Sequence, residues 1–142
     1  MRSLALMLPG LIVCACASRR DAMDTSRSDA ALARDTEMPR QTIAEVQTLE
    51  PGELVEGIMT GGRADRAELR LTAAMSFDWN IHSHATGHAM TIHEEFGEVA
   101  AEYSFEPTGD GDWFLLIRNS GNVTSDIQVR VDLFGNMKWR WQ

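Results

Sequence analysis

The sequence predicts an all-β fold, a single antiparallel β-sandwich of about seven to eight strands. Three observations carry that expectation. Short runs with an apolar residue at every second position recur from Gln41 onward, the signature of half-buried strands. Clusters of Gly, Pro, Asn and Asp separate them, and no internal repeat or long helical period competes.

The elements that precede the sandwich have a different character. Arg2 supplies a positive start, and Leu4 to Val13 is a short apolar run interrupted by Pro9-Gly10. A run of about ten residues cannot span a hydrocarbon core of roughly 30 Å as a helix, and it suits the apolar region of a secretory signal. Val13-Cys14-Ala15-Cys16 then resembles a bacterial lipobox. The resemblance implies that residues 1–15 leave as a signal peptide and that Cys16 becomes the acylated first residue. Ser18, rather than Asp, two places after Cys16 implies transfer to the outer membrane. A cut near Ala17, giving a secreted soluble protein, is the alternative. Lipidation is preferred because the chain's two cysteines both lie here and no disulfide can explain an export context. Each buried methylene of an acyl chain contributes about 0.8 kcal/mol, so more than one chain anchors firmly.

Residues 16–40 are rich in Ser, Asp and Arg and poor in large apolar side chains. They cannot bury enough surface to offset the entropy of ordering, and we assign them as a tether. The sandwich is assigned to residues 41–142.

Within it, Thr42 to Leu49 is ambiguous, because Ile43, Val46 and Leu49 have helical spacing while the Thr/Val content and short length suit a strand. Leu49-Glu50-Pro51-Gly52-Glu53 is a turn, and Glu53 to Thr60 a strand closed by Gly61-Gly62. Glu68 to Ala73 alternates. Met75 to His82 alternates too, with Phe77, Trp79 and Ile81 on one face. Met90 and Ile92 resume that core face after a turn at Ala85 to His88, giving a hairpin. Gly97 is expected to break the chain before a separate strand over Glu102 to Glu106. Pro107 to Asp112 is a turn cluster, and the unbroken Trp113 to Ile117 run suggests a central strand. Asn119 to Asn122 turns the chain again, and Ile127 to Leu133 alternates most cleanly of all. Trp139 and Trp141 alternate with Lys138 and Arg140 near the end of the sequence. Packing on one sheet face is their preferred role, and an interfacial or ligand-stacking patch the alternative.

Several of these segments resemble the Golgi-dynamics (GOLD) domain: Leu49 to Glu53, Met75 to Ile81, Tyr103 to Pro107, and Gly111 to Asn119 followed by the Ile127 to Leu133 strand. The resemblance covers roughly Gln41 to Gly135, the scale of one domain. It implies a jelly-roll-like sandwich that serves as an interaction module without catalysis.

All four histidines fall in the hairpin, at His82, His84, His88 and His93. A four-residue turn at Ala85 to His88 would pair His82 with Thr91 and Asn80 with His93. His82 and His93 then become diagonal neighbours on the polar face, about 7–8 Å apart at the backbone. Imidazole suits Cu(II) or Zn(II), so His82, His84 and His93, with His88 in support, are the candidate metal ligands. The alternative is that exposed polar positions simply happen to be histidine.

The formal charge of −8, from 21 acidic and 13 basic side chains, argues against a nucleic-acid binder. No nucleophile elbow, phosphate-cradling loop or His-Glu-x-x-His motif is present, and Ser83 should face away from both neighbouring histidines, so an enzyme is not expected. The expected function is a non-catalytic envelope lipoprotein facing the periplasm from the outer membrane, binding an envelope protein or glycan. A periplasmic copper- or zinc-binding lipoprotein using residues 82–93 is the alternative.

Overall fold

The computed structural model describes residues 37–84 and 87–142. The expected signal peptide, Cys16 and the expected tether up to residue 36 lie outside the described residues, as do Ala85 and Thr86 of the hairpin turn.

Alternating apolar residues and turn-forming punctuation give seven strands: β1 (Gln41–Leu49), β2 (Leu54–Gly61), β3 (Arg66–Ser83), β4 (Met90–Phe105), β5 (Gly111–Asn119), β6 (Ser125–Phe134) and β7 (Lys138–Trp141). Every pairing is antiparallel. The strand order is β1-β6-β3-β5-β2-β7, with β4 on β3 outside that path. The all-β antiparallel expectation holds. The ambiguous Thr42 to Leu49 segment is a strand, fixed by continuous pairing of β1 with β6.

Two expected strands, Glu68 to Ala73 and Met75 to His82, are one strand of 18 residues. β3 pairs with β6 through Arg66 to Ala73 and with β5 through Phe77 to Ser83, while β4 follows it along its length. One strand therefore belongs to both halves of the sheet, which curls so that both bury side chains in a common core. Ile43, Leu69 and Val131 from one half join Met59, Trp79 and Ile117 from the other. Full burial of each such side chain contributes about 1.5–3 kcal/mol before entropy is counted. Trp141, on the last strand of the order, donates Nε1–H to Glu45 on the first at 2.7 Å, which ties the two ends together.

Gly97 does not break the chain. It lies inside β4 at φ 72°, and its N–H donates to the Asp78 carboxylate at 2.9 Å. Phe77 pairs with Glu98 and Trp79 with Glu95, so two residues of β4 face one of β3: this is a bulge with glycine in the left-handed conformation.

Trp139 and Trp141 pack partly buried against the core, with ring centroids 5.0 Å apart. Trp139 lies across Gly57, where a Cβ would stand 2.0 Å from its Cη2 atom. β5 has the expected central place, between β3 and β2. Asn119 at its end is fully buried and donates Nδ2–H bonds to the Leu49 and Val123 carbonyls while accepting from Gly121 N–H. It braces two turns at once.

Candidate functional site

The β3–β4 hairpin presents two faces and one free edge. Phe77, Trp79 and Ile81 are buried in the core, as their alternation requires. Met90 and Ile92 are not. They are 54% and 39% exposed, and Phe96 and Val99, further along β4, are 68% and 54% exposed.

Met90 pairs with Ser83, as a four-residue turn requires, and is exposed at the end of the strand; for Ile92 the cause is register. His82 pairs with Thr91 as expected, but Ile81 pairs with His93 and Asn80 with Glu94. Ile92 is the extra residue of a bulge, and His93 to Glu95 beyond it are displaced by one place. A slip of one residue sends each side chain to the opposite face. His93 consequently lies on the core side, stacked on Tyr103 at 4.1 Å between ring centroids and 4.9 Å from the Trp79 ring. Its Nε2 meets Glu95 Oε1 at 3.0 Å, and Glu95 Oε2 accepts the Trp79 indole N–H, also at 3.0 Å. This aromatic and carboxylate cluster holds the start of β4 to β3.

His82 occupies the other face and is only 8% exposed. Its ring lies nearly parallel to Phe114, its partner on β5, at 5.3 Å, and His84 stands edge-on to both. His82 Nε2 is 3.3 Å from Glu56 Oε1, and Nδ1 is 2.8 Å from the Asn80 side-chain amide. The Asn80 atom at this distance is Oδ1, which only accepts, so Nδ1–H donates to it, while Nε2 faces the Glu56 carboxylate. Burial lowers the His82 pKa from its ordinary value, with Glu56 working in the opposite direction and His84 adding to the depression. His88 is exposed in the turn.

The expected ligand set is therefore not brought together. His82 and His84 are neighbours, while His93 is on the opposite face, bound to Glu95. Among the described residues, no group of three or more His, Cys, Asp or Glu side chains is placed to hold a metal ion. Ser83 is buried on the core face, opposite His82, and makes no nucleophile–base pair with it.

What the sequence pattern did not disclose is the free edge of β4. Half of the eight exposed large apolar side chains among the described residues, Met90, Ile92, Phe96 and Val99, belong to this strand. The available signals were Gly97 and a charge bias: residues 71–117 hold eight Asp and Glu residues and no Lys or Arg.

No family model and no curated protein sequence matches the chain. Several solved structures are similar to it, among them these two. One is Aeromonas hydrophila PliG, a periplasmic lysozyme inhibitor of g-type lysozyme, at 8% identity and a TM-score of 0.54 over 68% of this chain and 95% of that one. The other is the Yersinia pseudotuberculosis-derived mitogen YPM, at 13% identity and a TM-score of 0.51 over 70% of this chain and 97% of that one. At such identities the likeness establishes a shared fold alone.

Proposed function

We propose that this chain is a non-catalytic protein-binding module of the bacterial cell envelope, anchored through an acylated Cys16 at the periplasmic face of the outer membrane. The observation that carries the binding reading is the apolar exposure on β4. A strand left unpaired at a sheet edge normally hides its large apolar side chains or replaces them with charge. Here Met90, Ile92, Phe96 and Val99 remain in water, the arrangement of a surface that a partner covers.

Two further points support it. PliG, with the same fold, is by name a periplasmic inhibitor, a protein that acts by binding another protein. The lipobox-like Val13 to Cys16 segment supports export and anchoring. The resemblance to GOLD domains points the same way, to an interaction module.

The test is cross-linking in intact cells that express the full chain. The expected result is one envelope protein joined to the β3–β4 hairpin, and a stoichiometric complex of the purified pair with neither component consumed. A g-type lysozyme is the first purified protein to try. Turnover of a substrate, or cross-links scattered over the whole surface, would refute the reading. Anchoring is tested separately, because Cys16→Ala should leave an unacylated precursor in the membrane fraction; normal processing of that variant removes the lipobox.

A further inference from the structure

We infer that the free edge of β4 is the docking surface and that its occupant is a cationic, extended segment of a protein partner. This deepens the binding-module reading and rests on it. Among the described residues β4 pairs with β3 alone, so its other edge carries backbone N–H and C=O groups with no described strand beside them. Addition of an extended segment to such an edge is a recurring mode of recognition, with main-chain bonds giving affinity and side chains giving choice of partner.

The charge pattern selects the occupant. Glu94, Glu95 and Glu98 share this part of β4 with the exposed apolar residues, and no Lys or Arg occurs in residues 71–117. The ion pair between Arg70 and Glu102 at 3.5 Å belongs to the other end of the strand. A second copy of this chain would bring the same carboxylates together across an antiparallel pair, which is destabilising. The bulges at Ile92 and Gly97 also interrupt the regular ladder that repeated self-stacking needs. A segment alternating cations with apolar side chains meets both features of the edge. Complementary charge should also speed association by roughly 10- to 1,000-fold and make it sensitive to salt.

The experiment uses the full acylated chain in detergent and two peptides of about twelve residues, one alternating lysine with valine and the other glutamate with valine. The lysine peptide should slow amide hydrogen exchange along Met90 to Val99, and its affinity should fall about tenfold or more as salt rises to a level that screens exposed charges. Phe96→Lys should lower that affinity about tenfold with an unchanged melting temperature, since Phe96 is exposed. Glu94→Lys with Glu98→Lys should reverse the preference towards the glutamate peptide, a gain that misfolding cannot imitate. Equal binding of both peptides, protection of β1 or β7 instead, or self-association of the chain through β4 would overturn the assignment. An envelope partner that still binds the Phe96→Lys chain would also overturn it while leaving the binding-module reading intact. Failure to find any partner defeats that reading instead.

Discussion

The two ends of the β3–β4 hairpin share one pair of strands yet are built differently. At the base, Ala67 to Thr72 pairs with Ala100 to Phe105 without interruption, and Ala101 and Phe105 are buried. β3 there lies between β4 and β6, and Arg70 meets Glu102 across the pair. At the tip, the same strands carry bulges at Ile92 and Gly97, and β4 turns large apolar residues outward. The base repeats ordinary sheet construction, apolar inside and paired charge outside. The tip departs from it at the edge that no other strand covers among the described residues. Core stability and surface display are thereby separated along one strand, and substitutions should separate them too.

The largest effect is expected where the tip is tied to the core. Trp79→Ala removes a buried indole along with its contacts to His93 and Tyr103, and leaves Glu95 Oε2 without the indole N–H, with His93 still on Oε1. Removal of a buried aromatic costs about 3–5 kcal/mol, so urea denaturation should show a loss of that size. A loss below about 1 kcal/mol would mean that the tip is not coupled to the core as described. Next in size is Gly97→Ala. Nothing lies within 4 Å of the added Cβ, so its cost is conformational, about 1–2 kcal/mol for an L-residue at φ 72°. Gly97→Ala and Phe96→Lys together test whether the bulge and the display surface are separable, the first lowering the melting temperature and the second not.

How much of this was legible in sequence differs between the same two regions. Alternation located the strands and most of the core, because Ile127, Val129, Val131 and Leu133 each point the same way along an unbroken ladder. It does not show that Glu68 to Ala73 and Met75 to His82 are one strand, since the register with β4 shifts where the other pairing partner changes from β6 to β5. Gly97 was misread as a break because the residue that ends a strand is also the one that permits a bulge. Counting residues placed Met90 and Ile92 inside and His93 outside. The extra residue at Ile92 reverses the parity of His93, and with it the expected ligand set of His82, His84 and His93, whereas Met90 keeps its expected partner Ser83 and is exposed at the end of the strand. A bulge depends on how two strands settle against each other, and periodicity in either strand does not encode it.

A smaller effect should follow the protonation of His82, on the opposite face of the tip. Burial makes its folded-state pKa lower than the ordinary value, so the unfolded chain holds the proton more tightly. The associated stability is full above about pH 6.5, the ordinary histidine value, and is lost as pH falls through the depressed folded value. Asp132 adds a second loss of the same sign in stronger acid. Burial raises its pKa, but hydrogen bonds from Arg130 and Thr42 outweigh that and hold it below the ordinary carboxylate value. His82→Gln should flatten the limb just below pH 6.5 and leave the more acidic one in place. A wild-type melting temperature constant between pH 7 and pH 5 would contradict the lowered pKa that burial gives this ring.

The smallest change in stability is expected at the display surface itself, and there the comparison is at its sharpest. Phe96→Lys and Val99→Lys alter side chains that the fold leaves in water, so each should move unfolding free energy by no more than about 0.5 kcal/mol in either direction. Ala101→Lys, only a few residues along β4, places an ammonium at a buried position in the base and should destabilise by several kcal/mol unless the side chain escapes to solvent. Thermal melts of the three variants decide the matter. If Phe96→Lys destabilises as much as Ala101→Lys, Phe96 is part of the core after all, and its exposure has no bearing on binding. If only Ala101→Lys destabilises, the apolar residues at the tip serve no purpose in folding. Their presence on an unpaired acidic edge is then left to be explained by what that edge binds.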